Sequence, residues 1–276
     1  TMEESVNMPQ STHLQTIPVG PLGLIVMDSC SSLGKKVNDY LVTWRREREN
    51  EHKTTIQFNG YQRDSYLINA KAPRFGSGEA KGVINESVRG DDLYIMVDVC
   101  NYSLTYSLSG YVNHMSPDDH FQDLKRIIAA VGGKARRINV IMPFLYESRQ
   151  HKRTARESLD CAMALQELTR MGVENILTFD AHDPRVQNAI PLKGFENVPC
   201  IYQFMKALLR TEPNLDLDSD HMMIISPDEG GMGRAVTFAN YLGLDVGMFY
   251  KRRDYTRIVD GKNPIVAHEF LGSNVE

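Results

Sequence analysis

Short apolar runs recur along the chain, each closed by polar or turn-forming residues, and between them apolar side chains return at helical spacing. Leu22 to Met27, Leu93 to Val99, Ile138 to Phe144, Val173 to Phe179, Met222 to Ile225 and Leu244 to Tyr250 are runs of strand length. They are continuous rather than alternating, which predicts strands buried on both faces, as in a parallel sheet. Helical patterns lie between them. After Ser31-Ser32, the residues Leu33, Val37, Leu41 and Trp44 predict one inward face. After Pro117-Asp118-Asp119, Phe121, Leu124, Ile127, Ile128 and Val131 predict another, stopped by Gly132-Gly133. Further helices are expected from about Leu159, with Met163, Leu168 and Met171 on one side, around Ile201 to Leu209, and over Val236 to Leu242 before Gly243. Alternating strands and helices make an α/β fold with helices on both faces of parallel sheets. The strand–helix–strand units at 138–179 and 222–250 share one plan, so two α/β halves are expected, the second beginning near Asn197.

Two segments break the alternation. Lys53 to Ile68 alternates around Asn59-Gly60, the strongest short signal for a β-hairpin. Residues 101–119, polar and aromatic, are expected to form a long connection.

Composition narrows the function. The 276 residues are 42% apolar and 24% charged, ordinary for a soluble globular protein of one large or two ordinary domains. A net charge of −4 without a basic block speaks against a general nucleic-acid binder. No run approaches a membrane span, and no signal-peptide core opens the chain. Cys30, Cys100, Cys161 and Cys200 are scattered, which predicts buried free thiols in a reducing, cytoplasmic compartment.

Candidate chemistry collects at the carboxyl ends of the predicted strands, where open α/β sheets bind ligands. Ser226-Pro227 leads into Asp228, Glu229, Gly230, Gly231 and Gly233. That glycine turn brings backbone N–H groups and a helix N-terminus towards an anion, with a carboxylate for a metal or a sugar hydroxyl. Lys251 and Arg253, at the next strand end, suit the charge that develops on a transferring phosphoryl group. Asp180 and His182 stand on alternate residues beyond a strand, beside Asp183, and can hold a divalent cation such as Mg²⁺. The loop before them carries Arg149, His151, Lys152, Arg153 and Arg156, a cationic run suited to a polyphosphate. Phe75 and Glu79 flank Gly76, Ser77 and Gly78, an arrangement able to grip a purine. Each cluster alone also reads as an ordinary turn or a solvated surface.

Taken in order, FGSGE (75–79), NESVRGDDLYIM (85–96), MPFLYESRQHKR (142–153), LTFDAHDPRVQNAI (177–190), SPDEGGMGRA (226–235) and KRR (251–253) resemble the motifs of ribose-phosphate pyrophosphokinases. The resemblance covers roughly residues 70 to 260 and is specific because six motifs keep one order. It implies two tandem phosphoribosyltransferase-like domains, 1–196 and 197–276. The implied reaction moves the diphosphoryl group of Mg·ATP to the 1-hydroxyl of ribose 5-phosphate. By position, Phe75, Ser77, Gly78 and Glu79 match a loop that contacts ATP from a neighbouring subunit, and Arg149 and Gln150 match an Arg-Gln pair of the ATP site. His182, with Asp180 beside it, matches a Mg²⁺ ligand. Asp228, with Gly230 and Gly231, matches the metal and ribose-phosphate site, and Lys251 and Arg253 match cations that stabilise the group in transfer. The implied partners are ATP, ribose 5-phosphate and further copies of the chain, as a dimer or hexamer.

The chain departs from that pattern in four places. Ser77 and His151 stand where the family usually carries Asp, and the 53–68 hairpin is extra. No acidic, Thr/Gly-rich sugar-phosphate loop follows KRR, so the second domain is expected to be incomplete at its C-terminal end. A catalytically silent regulatory subunit of the same fold is the alternative that this last departure raises. A phosphoribosyltransferase that consumes the diphosphate sugar is a third reading, which the tandem motifs disfavour.

Overall fold

Strand formation follows the apolar runs closely. The computed structural model describes residues 18–50, 61–253, 256–257 and 264–272. They belong to two compact units, Thr1–Pro199 and Cys200–Glu276.

In the first unit, β1 (Leu22–Val26) leads through a 3-10 turn into α1 (Ser31–Asn50). Short strands β2 (Leu67–Ile68), β3 (Ala70–Lys71) and β4 (Val83–Ile84) precede β5 (Asp92–Met96). The hairpin β6 (Thr105–Leu108) and β7 (Tyr111–His114) follows, then α2 (Pro117–Val131), β8 (Arg137–Met142), α3 (Asp160–Arg170), β9 (Val173–Phe179) and β10 (Gly194–Val198). Six strands form one sheet in the order β10-β9-β8-β5-β1-β2, and every pair in it is parallel.

Successive residues of a strand point to opposite faces, and β1 shows it. Ile25 packs with Ile95, Val140 and Ile176, with Phe121, Leu124 and Ile127 of α2, and with Cys161, Leu165 and Leu168 of α3. Its neighbour Leu24 packs instead with Tyr66 and Met96 under Val37, Leu41 and Val42 of α1. Polar residues at the strand starts are matched: Arg137 donates two hydrogen bonds to Asp92, at 2.7 and 2.6 Å, and buried Asn139 donates to Asp92 and accepts from Asn175.

Helix α2 has the expected inward residues. Ser116 accepts from the Asp119 N–H while Asp119 accepts from the Ser116 N–H, a capping box reinforced by Pro117 at the first helical position. Three expectations need correction. On α1, Leu33 and Trp44 are exposed, Trp44 at 57%, and the helix meets the sheet through Gly34, Val37, Asn38 and Leu41. On α3, Met163 is exposed while Cys161, Ala164, Leu165 and Leu168 are buried; Met163 and Leu168 lie five residues apart, which places them on different sides of a helix. Residues 101–119 contain the hairpin β6–β7, whose turn residues Ser109 and Gly110 both adopt positive φ, 50° and 86°, the type I′ geometry that matches strand twist.

The Asn59-Gly60 turn of the expected 53–68 hairpin lies outside the described residues. Of its second arm only Leu67–Ile68 is a strand, and it pairs in parallel with Leu24 and Ile25. Strand β10, at the end of the sheet order, has no sequence signal: GFENV lacks a continuous apolar run, in keeping with residues that are at most half-buried.

The second unit contains α4 (Ile201–Thr211), β11 (Met223–Ser226), α5 (Met232–Leu242), β12 (Asp245–Arg253) and β13 (Ile265–Leu271). Its sheet runs β11-β12-β13, with β11 and β12 parallel and β13 antiparallel to β12. Gly243 closes α5 in the left-handed conformation. β13 is a further strand that the sequence pattern did not reveal. No helix among the described residues is long and apolar enough to cross a membrane. Cys30 and Cys161 are buried thiols, whereas Cys100, against expectation, is exposed and Cys200 is half-buried.

Candidate active site

The carboxyl ends of β8 and β9 carry the first cluster. Beyond β8 the chain turns sharply at Glu147, whose φ is 55°. It is fixed there by Ser148, whose buried hydroxyl accepts from the His182 N–H at 2.9 Å. That bond ties the loop after β8 to the loop after β9. Arg149 is exposed next to it, near enough to Cys100 beyond β5 to oppose the upward shift that burial and Asp98 impose on that thiol. The Gln150 side chain donates to the Ser158 carbonyl at 2.7 Å, folding the cationic loop back on itself.

Beyond β9, Asp180 takes a φ of 40°, a left-handed conformation uncommon outside glycine and concentrated at functional sites. Its N–H donates to the Val198 carbonyl, and the Ala181 N–H to the Asn197 side chain. His182 emerges exposed. Asp183 accepts from the backbone and guanidinium of Arg185. The Arg185 hydrogen bonds hold its carboxyl well below the usual carboxylate range. The His151 ring stands edge-on to that of His182, centroids 5.1 Å apart, and its Nε2 lies 3.6 Å from Asp183 Oδ2.

The 75–79 loop is a tight turn in which Phe75 donates its N–H to Glu79 and receives that of Gly78, at 2.7 and 2.9 Å. It rests on the β6–β7 hairpin, where the Ser109 N–H reaches the Gly76 carbonyl, and on α2, where Arg74 bonds buried Asp123 at 2.8 Å. Phe75 itself is 52% exposed. Ser77 donates to Glu79 at 2.9 Å. The structure therefore builds this loop on the hairpin rather than on the strand tips.

The remaining candidates belong to the second unit. Asp228 caps a 3-10 turn over Glu229–Gly231, accepting from the Gly231 N–H at 3.1 Å, while Ser226 donates to the Asp228 carbonyl at 2.7 Å. Gly230 and Gly231 lie in that turn, ahead of α5. Lys251 and Arg253 lie within β12, opposite His268 and Ile265 of β13, with a register shift between Arg252 and Arg253.

The structure thus brings Arg149, Gln150, Asp180 and His182 onto two neighbouring strand tips of one sheet. It adds His151 and Asp183, whose contact joins residues 32 positions apart and has no sequence signal beyond their polar setting. The hairpin under the 75–79 loop did have one: Ser-Gly between YSL and YVN is a turn dipeptide between two short runs.

Comparison with known proteins gives one consistent picture. Residues 22–172 match the family model described as the N-terminal domain of ribose phosphate pyrophosphokinase. A ribose-phosphate pyrophosphokinase of Maricaulis maris is 28% identical over 204 residues, covering 73% of this chain and 59% of the relative. Ribose-phosphate pyrophosphokinase 1 of Lactococcus lactis subsp. lactis is 30% identical over 192 residues, covering 68% and 53%. The crystal structure of phosphoribosylpyrophosphate synthetase from Mycobacterium smegmatis superposes with a TM-score of 0.64 at 20% identity, over 89% of this chain and 67% of that one. The matches thus span between about half and three-fifths of the length of these two sequence relatives.

Proposed function

Because the chain belongs to the ribose-phosphate pyrophosphokinase family, we propose that it is a ribose-phosphate diphosphokinase. It forms phosphoribosyl pyrophosphate and AMP from Mg·ATP and ribose 5-phosphate. The 1-hydroxyl oxygen of the sugar bonds to the β-phosphorus, the bond from that phosphorus to the α–β bridging oxygen breaks, and the hydroxyl proton is released.

The observation that carries this reading is the convergence of Arg149, Gln150, Asp180 and His182 on the tips of β8 and β9, the sheet edge that binds ligands in open α/β folds. Arg149 and Gln150 bind the nucleotide, and the exposed Phe75 ring offers a stacking face to adenine, with Ser77, Gly78 and Glu79 shaping its turn. A carboxylate and an imidazole on alternate residues fit a divalent cation, so Asp180 and His182 would hold Mg²⁺ in the first unit, while within the second unit the family pattern gives Asp228 a metal-binding role of its own. Mg²⁺, when bound, neutralises triphosphate charge. Asp228, Gly230 and Gly231 offer a carboxylate and backbone N–H groups to the ribose phosphate. Lys251 and Arg253 stabilise the charge on the migrating diphosphoryl group. The two domains divide at 199/200, after β10, which the expected 196/197 boundary would cut, and the active form is a homo-oligomer, dimer or hexamer. Scattered cysteines, two of them buried thiols, suit a reducing cytoplasm.

The test is AMP release from Mg·ATP with and without ribose 5-phosphate. AMP that appears only with both substrates is the expected result. ATP binding without AMP in either condition would overturn the enzymatic reading in favour of a regulatory subunit.

A further inference from the structure

One side chain holds the 75–79 loop from beneath. Arg74 stands at the base of the loop, where it forms a β-bridge with Ala80. Its guanidinium donates to Asp123 Oδ2 at 2.8 Å and to the Gly78 carbonyl at 3.2 Å. The same group lies over the Tyr106 ring of β6, 4.7 Å from its centre, within cation–π reach. One planar group thus joins α2, the loop and the β6–β7 hairpin. A guanidinium suits that task because its donors leave in a fixed fork while its faces stack on aromatic rings.

Neutralising Asp123 does not require Arg74. Arg126, one turn further along α2, already bonds Oδ1 of the same carboxylate. The second arginine leaves the trio with an excess positive charge, and a donor of that charge is spent on Gly78. The Arg74 and Asp123 side chains are 13% and 5% exposed, and polar bonds shielded from water in this way are stronger than exposed ones. The hairpin completes the support. Gly78 takes a φ of 87°, and a Cβ on it would meet Leu108 of β6 at 3.0 Å, so the turn sits directly on that strand. The Ser109 N–H holds the Gly76 carbonyl. With both glycine carbonyls tied down, Phe75, Ser77 and Glu79 are left exposed.

We infer that Arg74 is a positioning residue for the nucleotide, fixing the loop so that Phe75 and Glu79 meet the base in one orientation, with Tyr106 as its second support. This rests on the preceding reading of the loop as part of the ATP site. The physical reason is preorganisation: a loop ordered before binding does not have to be ordered during it. The effect therefore falls on ATP affinity and spares both the sugar and the transfer step.

The experiment uses the full chain and calorimetric titration with α,β-methylene-ATP and MgCl₂, a probe whose α–β link is not cleaved. Arg74→Lys keeps a cation beside Asp123 but loses the fork, and should weaken the probe roughly tenfold at unchanged melting temperature. Tyr106→Ala should weaken it roughly threefold, whereas Tyr106→Phe, which keeps the ring, should bind as the parent does. In AMP release, Arg74→Lys should raise the KM for ATP and leave kcat and the KM for ribose 5-phosphate in place. Unchanged probe affinity in Arg74→Lys overturns the inference, as does a loss confined to kcat. Should Arg74→Lys fail to fold, Arg74→Met with Asp123→Asn removes the fork without leaving a buried carboxylate short of a partner; the same loss is expected there, and retained affinity overturns the inference. AMP release also separates the two readings. A parent chain that binds the probe, loses it in Arg74→Lys and makes no AMP keeps the positioning role and loses the reaction. One that makes AMP with an unaltered KM for ATP in Arg74→Lys keeps the reaction and loses the positioning role.

Discussion

Cys30 and Cys161 differ from Cys100 chiefly in burial, and their chemistry follows from it. Burial lifts both thiols from an ordinary value of 9.0 to about 11, helped by Asp98 at Cys30 and by Glu147 at Cys161. Near neutral pH both stay protonated and shielded, so a chromogenic disulfide should modify Cys100 in the native chain and reach Cys30 and Cys161 only after denaturation. The sign for stability is fixed by the same shift. A thiol whose folded pKa is raised ionises first in the unfolded chain, so its contribution is complete below pH 9.0 and is lost as pH rises towards 11. Denaturant titrations should therefore show stability falling across that window, and a flat profile would contradict the burial of these groups. At Lys251 the expectation is kinetic. A cation that acts on the migrating diphosphoryl group contributes mainly in the transition state, so Lys251→Ala should lower turnover roughly 10²–10³-fold while calorimetric ATP affinity survives; near-normal turnover would remove Lys251 from its assigned role. At this scale the sequence revealed residue types but not partners. The place of Asp180 and His182 beyond one strand end was legible from the apolar run before them, whereas the His151–Asp183 contact depends on the Ser148 hydroxyl tying two loops together.

Helix α2 could be read in full because every signal in it agreed: a capping box, Pro at the first turn, an apolar stripe and a glycine stop. Helix α1 was placed correctly but rotated wrongly. Leu33, Val37, Leu41 and Trp44 form a helical stripe on paper, yet the helix turns Gly34 towards the sheet. A Cβ there would clash with both γ-methyls of Val26. Close approach to β1 is what leaves Leu33 and Trp44 outside, and a hydrophobic count cannot see a contact made by a missing side chain. Two effects of Gly34→Ala oppose each other. Alanine improves helix propensity by about 1 kcal/mol, but overpacking against a β-branched side chain on a buried strand costs about 1–3 kcal/mol. Because the nearest atoms belong to stiff Val26 rather than to a flexible chain end, the clash should win. A net loss of about 1 kcal/mol in urea unfolding is expected, and Gly34→Ala with Val26→Ala should recover the part due to the clash. A stabilised Gly34→Ala would mean that α1 does not approach β1 so closely.

For the molecule as a whole, parallel order was legible because continuous apolar runs need cover on both faces, whereas edges were not: β2, β10 and β13 have short or mixed patterns set by position in the sheet. The same limit applies to assembly. The β6–β7 hairpin exposes Tyr111 at 77% and Val112 at 74%, and the 75–79 loop resting on it exposes Phe75. Adjacent large apolar residues on a protruding hairpin are costly to leave in water, each about 1.5–3 kcal/mol relative to burial. The ATP-contacting role proposed for the 75–79 loop across a subunit boundary gives that surface a second copy of the chain to face. If so, oligomerisation and catalysis are coupled through the hairpin. Sedimentation velocity should report a dimer or hexamer, and Tyr111→Glu with Val112→Glu should shift it towards monomer. AMP release should then fall with the fraction of oligomer and recover at higher protein concentration, as mass action requires. A monomeric double variant with full turnover would show that Phe75 and Glu79 serve the nucleotide of their own chain.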